Sequence, residues 1–295
     1  MRFENFKNFL TNTVDKRNDD ESTKGKGTAT HGVTKFADLT DDEFKSTFLG
    51  YKDTAKSKER RLVQKNSNAK AATIAKYTGT STYVDWSDVY TTAVKDQGYC
   101  GSCWAFSATE QIESASIIAG ILTTDDKLSP EQIVQCDTTD DGCDGGNTDT
   151  AFDYVKSAGG IELSSTYPYT SYYDVTGTCT SDSSDFVVTV DDYFSVSTET
   201  EMESYVLSTG PLSVCLAAST WSSYTMGIVS TCSTDVDHCV QVTGYSADES
   251  YWLVRNSWGT DWGMEGYILI ESGVDMCEIA YDPLYVSVSA VSTRK

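Results

Sequence analysis

Over residues 1–50 aromatic and charged positions alternate, and Phe3, Phe6, Phe9 and Leu10 fall at three- and four-residue steps, the spacing of one helix face. Short amphipathic helices are predicted there. From Tyr51 to Thr82 the pattern dissolves into Lys, Ser, Ala, Thr and Asn, with Lys58-Glu59-Arg60-Arg61 inside it, and reads as an exposed linker that a protease could cut. After Tyr83-Val84-Asp85-Trp86, apolar residues return at helical spacing from about Ser102 to Gly120, where the glycine suits a helix C-terminus. From about Asp185 the period changes. Short segments rich in Val, Ile, Tyr and Thr predict strands at Phe186 to Val190, Leu212 to Leu216, His238 to Tyr245, Tyr251 to Arg255 and Gly266 to Ile270. A helical half followed by a β half implies an α+β protein of two subdomains, with the crevice between them as the place for a site. No internal repeat interrupts this reading.

The 295 residues suffice for one large domain or two medium ones. No apolar run approaches the roughly 18 residues of a membrane-spanning helix, so no membrane partner is expected. The net charge of −22 is unevenly spread: residues before Tyr83 hold 16 Lys and Arg against 11 Asp and Glu, the remainder 6 against 33, or about +5 and −27. That sign disfavours nucleic acid and anionic membranes and favours basic or neutral partners. Nine cysteines suggest an oxidising compartment, and the odd count leaves at least one thiol unpaired. Met1-Arg2-Phe3-Glu4-Asn5-Phe6 is amphipathic, so no signal peptide is visible, and no Asn-x-Ser/Thr acceptor for an N-glycan occurs.

The most specific string is Gln97-Gly98-Tyr99-Cys100-Gly101-Ser102-Cys103-Trp104-Ala105-Phe106-Ser107. It sets Cys103 at a helix N-terminus, where the positive end of the dipole favours thiolate over thiol. Taken alone, Cys100-x-x-Cys103 is equally readable as a redox pair or half a zinc site. The βαβ context of a thioredoxin-like protein is missing, however, and Cys136 and Cys143 are poorly spaced for a second ligand pair. No metal or cofactor is expected. A nucleophilic thiol needs a base, and the chain has only two histidines, His31 in the basic front segment and His238, which lies 135 residues after Cys103. Asn256, in Tyr251-Trp252-Leu253-Val254-Arg255-Asn256-Ser257-Trp258-Gly259, has a side-chain oxygen that can fix the imidazole's tautomer, although an Asn before Ser and Gly is also a common turn residue.

With these strings, Leu128-Ser129-Pro130-Glu131-Gln132, Gly142-Cys143-Asp144-Gly145-Gly146, Tyr167-Pro168-Tyr169, Gly210-Pro211-Leu212-Ser213-Val214 and Asp237-His238, the chain from Tyr83 to about Val286 resembles the papain-like cysteine proteases, the papain and cathepsin L group. The resemblance implies a helical left subdomain over 83–190, an antiparallel β-barrel right subdomain over 191–286, and a tail at 287–295. Residues 1–50 resemble the family's inhibitory propeptide through Gly32-Val33-Thr34-Lys35-Phe36-Ala37-Asp38-Leu39-Thr40, with Thr34 where the motif has Asn. Its earlier helical motif survives only in Arg2 and Phe6, as expected of a truncated propeptide, and activation cleavage would fall in 51–82.

The activity implied is endopeptidase hydrolysis through an acyl-enzyme. Cys103 would be the nucleophile and His238 its base; in such pairs the thiol pKa can fall to about 3–4. Asn256 would orient His238, and Gln97 would bind the oxyanion. Gly145 and Gly146 would present backbone to an extended substrate beside Asp237. Asn147, Thr148, Cys215, Val236 and Cys239 would wall the S2 pocket above Asp282 at its floor, a polar pocket suited to a basic P2 residue. Trp258 would shield the Asn256–His238 bond and Trp262 would line the leaving-group side. Disulfides would join Cys100 to Cys143, Cys136 to Cys179 and Cys232 to Cys277, with Cys215 and Cys239 either bonded or two buried thiols. Expected partners are peptide and protein substrates, the chain's own propeptide and inhibitors of the cystatin kind, for a monomer that is lysosome-like or secreted. The rival reading is an inactive family member that binds or stores, and a redox protein stands behind it.

Overall fold

The computed structural model describes residues 2–25, 27–66 and 78–292. The front segment forms α1 (Arg2–Asn8), a π-helical turn (Phe9–Val14), α2 (Asp15–Thr23), the short strand β1 (Thr30–His31), α3 (Asp41–Phe48) and α4 (Ala55–Asn66). Of the aromatic face read from the sequence, Phe9 is buried while Phe3 remains 70% exposed. A capping box starts α3: Thr40 Oγ1 accepts the Glu43 N–H, and the Glu43 carboxylate accepts the Thr40 N–H.

The expected exposed linker is corrected in part. Residues 55–66 are helical, and the Arg60 and Arg61 side chains are only 16% and 13% exposed. The helix has no apolar stripe to announce it because ionic contacts hold it down. The rest of the presumed cleavage segment, 67–77, lies outside the described residues.

After β2 (Tyr83–Asp85), the first half is built on α5 (Cys103–Ile118), α6 (Pro130–Cys136) and α7 (Thr148–Ala158). The second half comprises β3 (Val188–Ser195), α8 (Glu199–Ser208), β4 (Leu212–Leu216), β5 (Tyr224–Met226), β6 (Ile228–Val229), β7 (His238–Ser246), β8 (Tyr251–Arg255), β9 (Tyr267–Glu271) and β10 (Leu284–Ala290). An eight-stranded sheet runs β3-β10-β4-β7-β8-β9-β6 with β2 off the path on β7; every pair is antiparallel except β6 with β9. The halves also exchange ends. The β2 strand pairs with β7, and Val188, Leu284 and Val286 sit in the helical half's core.

Strand β7 is buried at all nine positions because α5 packs across it, and its polar residues are satisfied there: Gln241 donates to Glu110 O and Ser114 Oγ, and Ser107 Oγ donates to Val240 O. Helix α5 is itself buried on nearly every side. Its two acids meet basic partners, Glu113 with Lys95 at 2.6 Å and Glu110 with Arg255 at 3.7 Å.

Four disulfides are present: Cys100–Cys143, Cys136–Cys179, Cys232–Cys277 and Cys215–Cys239. The last joins residues directly opposite in the β4–β7 ladder, and Cys103 alone is free. Alkylating the unreduced mature protein is expected to label one thiol, counted by mass; three labels would show Cys215 and Cys239 unbonded.

Candidate active site

Cys103 opens α5 and is fully buried, at the positive end of a 16-residue helix. The Cys100–Cys143 bond ties the loop before it to the Gly142–Gly146 loop, and the Gly101 N–H donates to Cys143 O at 2.9 Å. His238 begins β7 and is followed by Cys239, which pairs with Cys215 of β4. His238 Nε2 lies 2.8 Å from Asn256 Oδ1, and its Nδ1 has no hydrogen-bond partner among the described residues. With the proton on Nε2, Nδ1 keeps a lone pair. The Trp258 ring covers the imidazole at 4.8 Å between centroids, and Trp221 stands edge-on at 6.2 Å. Trp262, fully buried, stacks on Trp221 and meets Trp258 edge-on. Gln97 is locked by Ser257 Oγ, which donates to its Oε1 at 2.7 Å, so that its Nε2 faces the loop at Cys100.

The front segment fills this site with its own backbone. Phe36, Phe44 and Phe48 pack against Trp258. Gln97 Nε2 donates to Phe48 O at 3.1 Å, and the Gly50 N–H points at Cys103 Sγ from 3.4 Å. Beyond that, Tyr51 N–H donates to Asp237 O, Gly146 N–H to Gly50 O, and Lys52 N–H to Gly146 O. Tyr51 and Gly146 form a parallel bridge. Gly145 is required here: its φ is 110°, and a Cβ would come within 2.5 Å of the Gly50 carbonyl. Asn147 caps α7 through Oδ1 and donates from Nδ2 to Lys52 O at 3.0 Å.

Several residues expected to line a pocket are brought together, and the front segment lies over them. Thr148 Oγ1 touches Cys215 Sγ, and Cys215, Cys239 and the half-buried Val236 belong to one apolar cluster. Asp282 is 2% exposed, and both its oxygens accept from Arg60 Nη2, at 2.6 and 2.7 Å. Arg60 Nη1 donates to Asp149 Oδ2 at 2.8 Å, and Arg61 Nη1 adds a longer contact of 3.6 Å to Asp282. Asp149 was missed in the sequence because an acid in the first turn of α7 reads as dipole complement. Burial, the largest influence, raises the Asp282 carboxyl above the ordinary range despite Arg60.

Electrostatically the catalytic candidates are quiet. Burial pushes the Cys103 thiol up to about 11, against hydrogen bonds from Cys239 and Gly50 that pull it down. Burial likewise lowers His238 to about 4, with Asn256 opposing. Burial is the first cause for both groups, and for each it favours the neutral form while the front segment covers the site.

His31, set aside in the sequence as the other histidine, lies at the same interface. It is partly buried, its Nδ1 is 3.0 Å from Ser223 Oγ, and burial followed by the Arg17 charge lowers it to about 4. Arg17 donates to Ser222 Oγ and Ser223 Oγ.

Comparison with known proteins agrees with this architecture. The papain family cysteine protease model matches residues 80–287 and the cathepsin propeptide inhibitor domain matches residues 1–44. Cysteine proteinase 1 of Zea mays is 36% identical, covering 90% of this chain and 76% of its own length. Procathepsin L of Felis catus is 38% identical over 88% and 79%. Digestive procathepsin L 3 of the Tenebrio molitor larval midgut superposes with a TM-score of 0.82 at 29% identity, covering 97% of this chain and 91% of that one. The chain therefore belongs to the papain family of cysteine proteases and is a proform, with a cathepsin-type inhibitory propeptide ahead of its peptidase domain.

Proposed function

We propose that the chain is the autoinhibited zymogen of an endopeptidase in which Cys103 attacks the peptide carbonyl, His238 moves the proton and Asn256 holds His238. The observation that carries this reading is a peptide backbone lying on the site, with a carbonyl on Gln97 Nε2 and an N–H on Cys103 Sγ. In the open enzyme, water readmitted to the cleft lowers the cost of the thiolate and imidazolium. The thiolate adds to the carbonyl carbon, and the oxyanion takes hydrogen bonds from Gln97 Nε2 and the Cys103 N–H. His238 protonates the leaving amine and then activates water to release the acyl group. Labelling by an epoxide that alkylates papain-like thiols, lost together with hydrolysis in Cys103→Ser, tests the assignment.

Polarity explains why the propeptide is not consumed. Its Phe48 end lies against Trp258 and its Arg60 end on Asp282. If substrate places its acyl side toward Asp282 and its leaving group toward Trp262, the propeptide runs the opposite way. A reversed peptide presents its amide to the wrong side of Cys103.

Arg60 also supports a preference for Arg or Lys at P2. The pocket already holds a guanidinium between two buried carboxylates, the fork geometry that recognises arginine.

Acid is the proposed trigger. Basic propeptide residues pair with acidic partners on the peptidase domain: Lys35 with Asp96 and Asp261, Lys52 with Asp141, and Lys56 with Asp153. His31 acts in the same direction. Its docked pKa of about 4 lies below the ordinary 6.5, so its neutral form favours docking above pH 6.5. That contribution falls as pH drops from 6.5 toward 4, because the undocked imidazole takes the proton first. Cys103-dependent self-processing is expected to run faster near pH 4–5 than at pH 7, and His31→Asn to narrow the gap. Equal rates at the two pH values would refute the trigger.

A further inference from the structure

Glu21, in the last turn of α2, is a carboxylate only 4% exposed, buried where the propeptide meets the β half. It accepts the Ser230 N–H at 3.1 and 3.3 Å, the Ser230 hydroxyl at 2.7 Å, the Thr231 N–H at 3.1 Å and the Thr231 hydroxyl at 2.7 Å. Four donors from two consecutive residues thus converge on one anion. Among the described residues they are all neutral, so the carboxylate is recognised by donor geometry and not by a countercharge. Adjacent backbone N–H groups turned into one concavity form an anion-binding nest. The propeptide is pressed onto its rim: Gly27 N–H donates to Ser230 Oγ at 2.7 Å, and a Cβ on Gly27 would lie 2.0 Å from the Ile228 carbonyl.

The nest itself belongs to the peptidase domain. It directly follows β6, which is paired with β9, and directly precedes Cys232, which is bonded to Cys277. Anchored on both sides, the loop has the means to keep its shape when the propeptide leaves. The same stretch of chain begins at Trp221, beside His238 and Trp262.

We propose that Ser230 and Thr231 form a carboxylate-binding exosite, filled by Glu21 in the zymogen and vacated on activation, which takes an Asp or Glu side chain of a peptide or protein ligand. Over most of this strongly acidic domain such a side chain is repelled. Here short-range bonds to an anion, roughly twice as strong as neutral ones, hold it in one place.

The test uses 15N-labelled mature enzyme, obtained by activation and blocked at Cys103, titrated with sodium acetate, with acetamide as the uncharged control and sodium chloride as the salt control. Saturable shifts of the Ser230 and Thr231 amide signals are expected with acetate alone, and no such shifts in the Cys103→Ser zymogen, where Glu21 occupies the nest. Replacing both hydroxyls, Ser230→Ala with Thr231→Val, removes two of the four donors and is expected to weaken acetate about tenfold or more. Hydrolysis of a short uncharged peptide by the unblocked double variant should be unchanged. The exosite is overturned if those amides stay still, if acetamide or chloride moves them equally, or if the zymogen responds as the mature enzyme does.

Discussion

Cys103→Ser in the activated enzyme is expected to lower kcat by about a million-fold, and His238→Ala to do nearly the same, because residues that act as one unit fail together. Only one atom changes in the serine variant, sulfur to oxygen, at a fully buried position, so the fold should survive. What is lost is the nucleophile: an alcohol beside this imidazole stays protonated where a thiol does not. Combining Cys103→Ser with His238→Ala should cost little more than either alone. Multiplying losses would show separate roles, and surviving hydrolysis in Cys103→Ser would point to another nucleophile. Wild-type enzyme that neither hydrolyses nor labels would instead be a binding protein.

The second large effect concerns Asp282. Wild-type enzyme is expected to prefer Arg to Leu at P2, and Asp282→Asn to cut kcat/KM for the Arg substrate by about 30- to 150-fold, the ~2–3 kcal/mol of a buried charged hydrogen-bond pair. The Leu substrate should change little. Asparagine nearly matches the lost side chain in shape, which protects a site that is 2% exposed. Asp149→Asn removes the partner of a single Arg60 nitrogen and should act in the same direction with smaller effect. In the zymogen the same Asp282 change unpins Arg60, so activation should quicken. An Arg-to-Leu ratio at P2 that does not move would sink the assignment.

Local pattern made much of this fold legible. Strands β4 and β8 fall on the predicted residues, and α5 lies within one or two of its expected ends. Cys103, His238 and Asn256 stand out because the chemistry needs rare residue types, and the chain has only two histidines. Helix α4 was invisible for a physical reason. Periodicity detects apolar stripes, whereas Ala55–Asn66 is seated by cations whose partners, Asp149 and Asp282, lie 89 and 222 residues away. Strand β10 was missed as well. It alternates only weakly between buried and exposed, because it bridges β3 and β4 at the seam of the two halves.

The low thiol pKa expected from the sequence belongs to an open site, whereas burial under the front segment pushes the Cys103 thiol up. Seated against Cys103 and Asp237, the propeptide covers the site, and a covered site disfavours charge separation. If the chain is the zymogen proposed above, its inhibition has an electrostatic part as well as a steric one.

The anchors described for the propeptide, Glu21 in its nest, the three phenylalanines on Trp258 and Arg60 on two aspartates, are all borne on one stretch of chain from α2 to α4. A cut beyond Asn66 leaves them on a single fragment. Each then holds the others at high effective concentration, so losing any one contact is followed by rebinding before the rest can let go. Severing the chain and freeing the enzyme become separate events, and a nicked zymogen at neutral pH would still be silent.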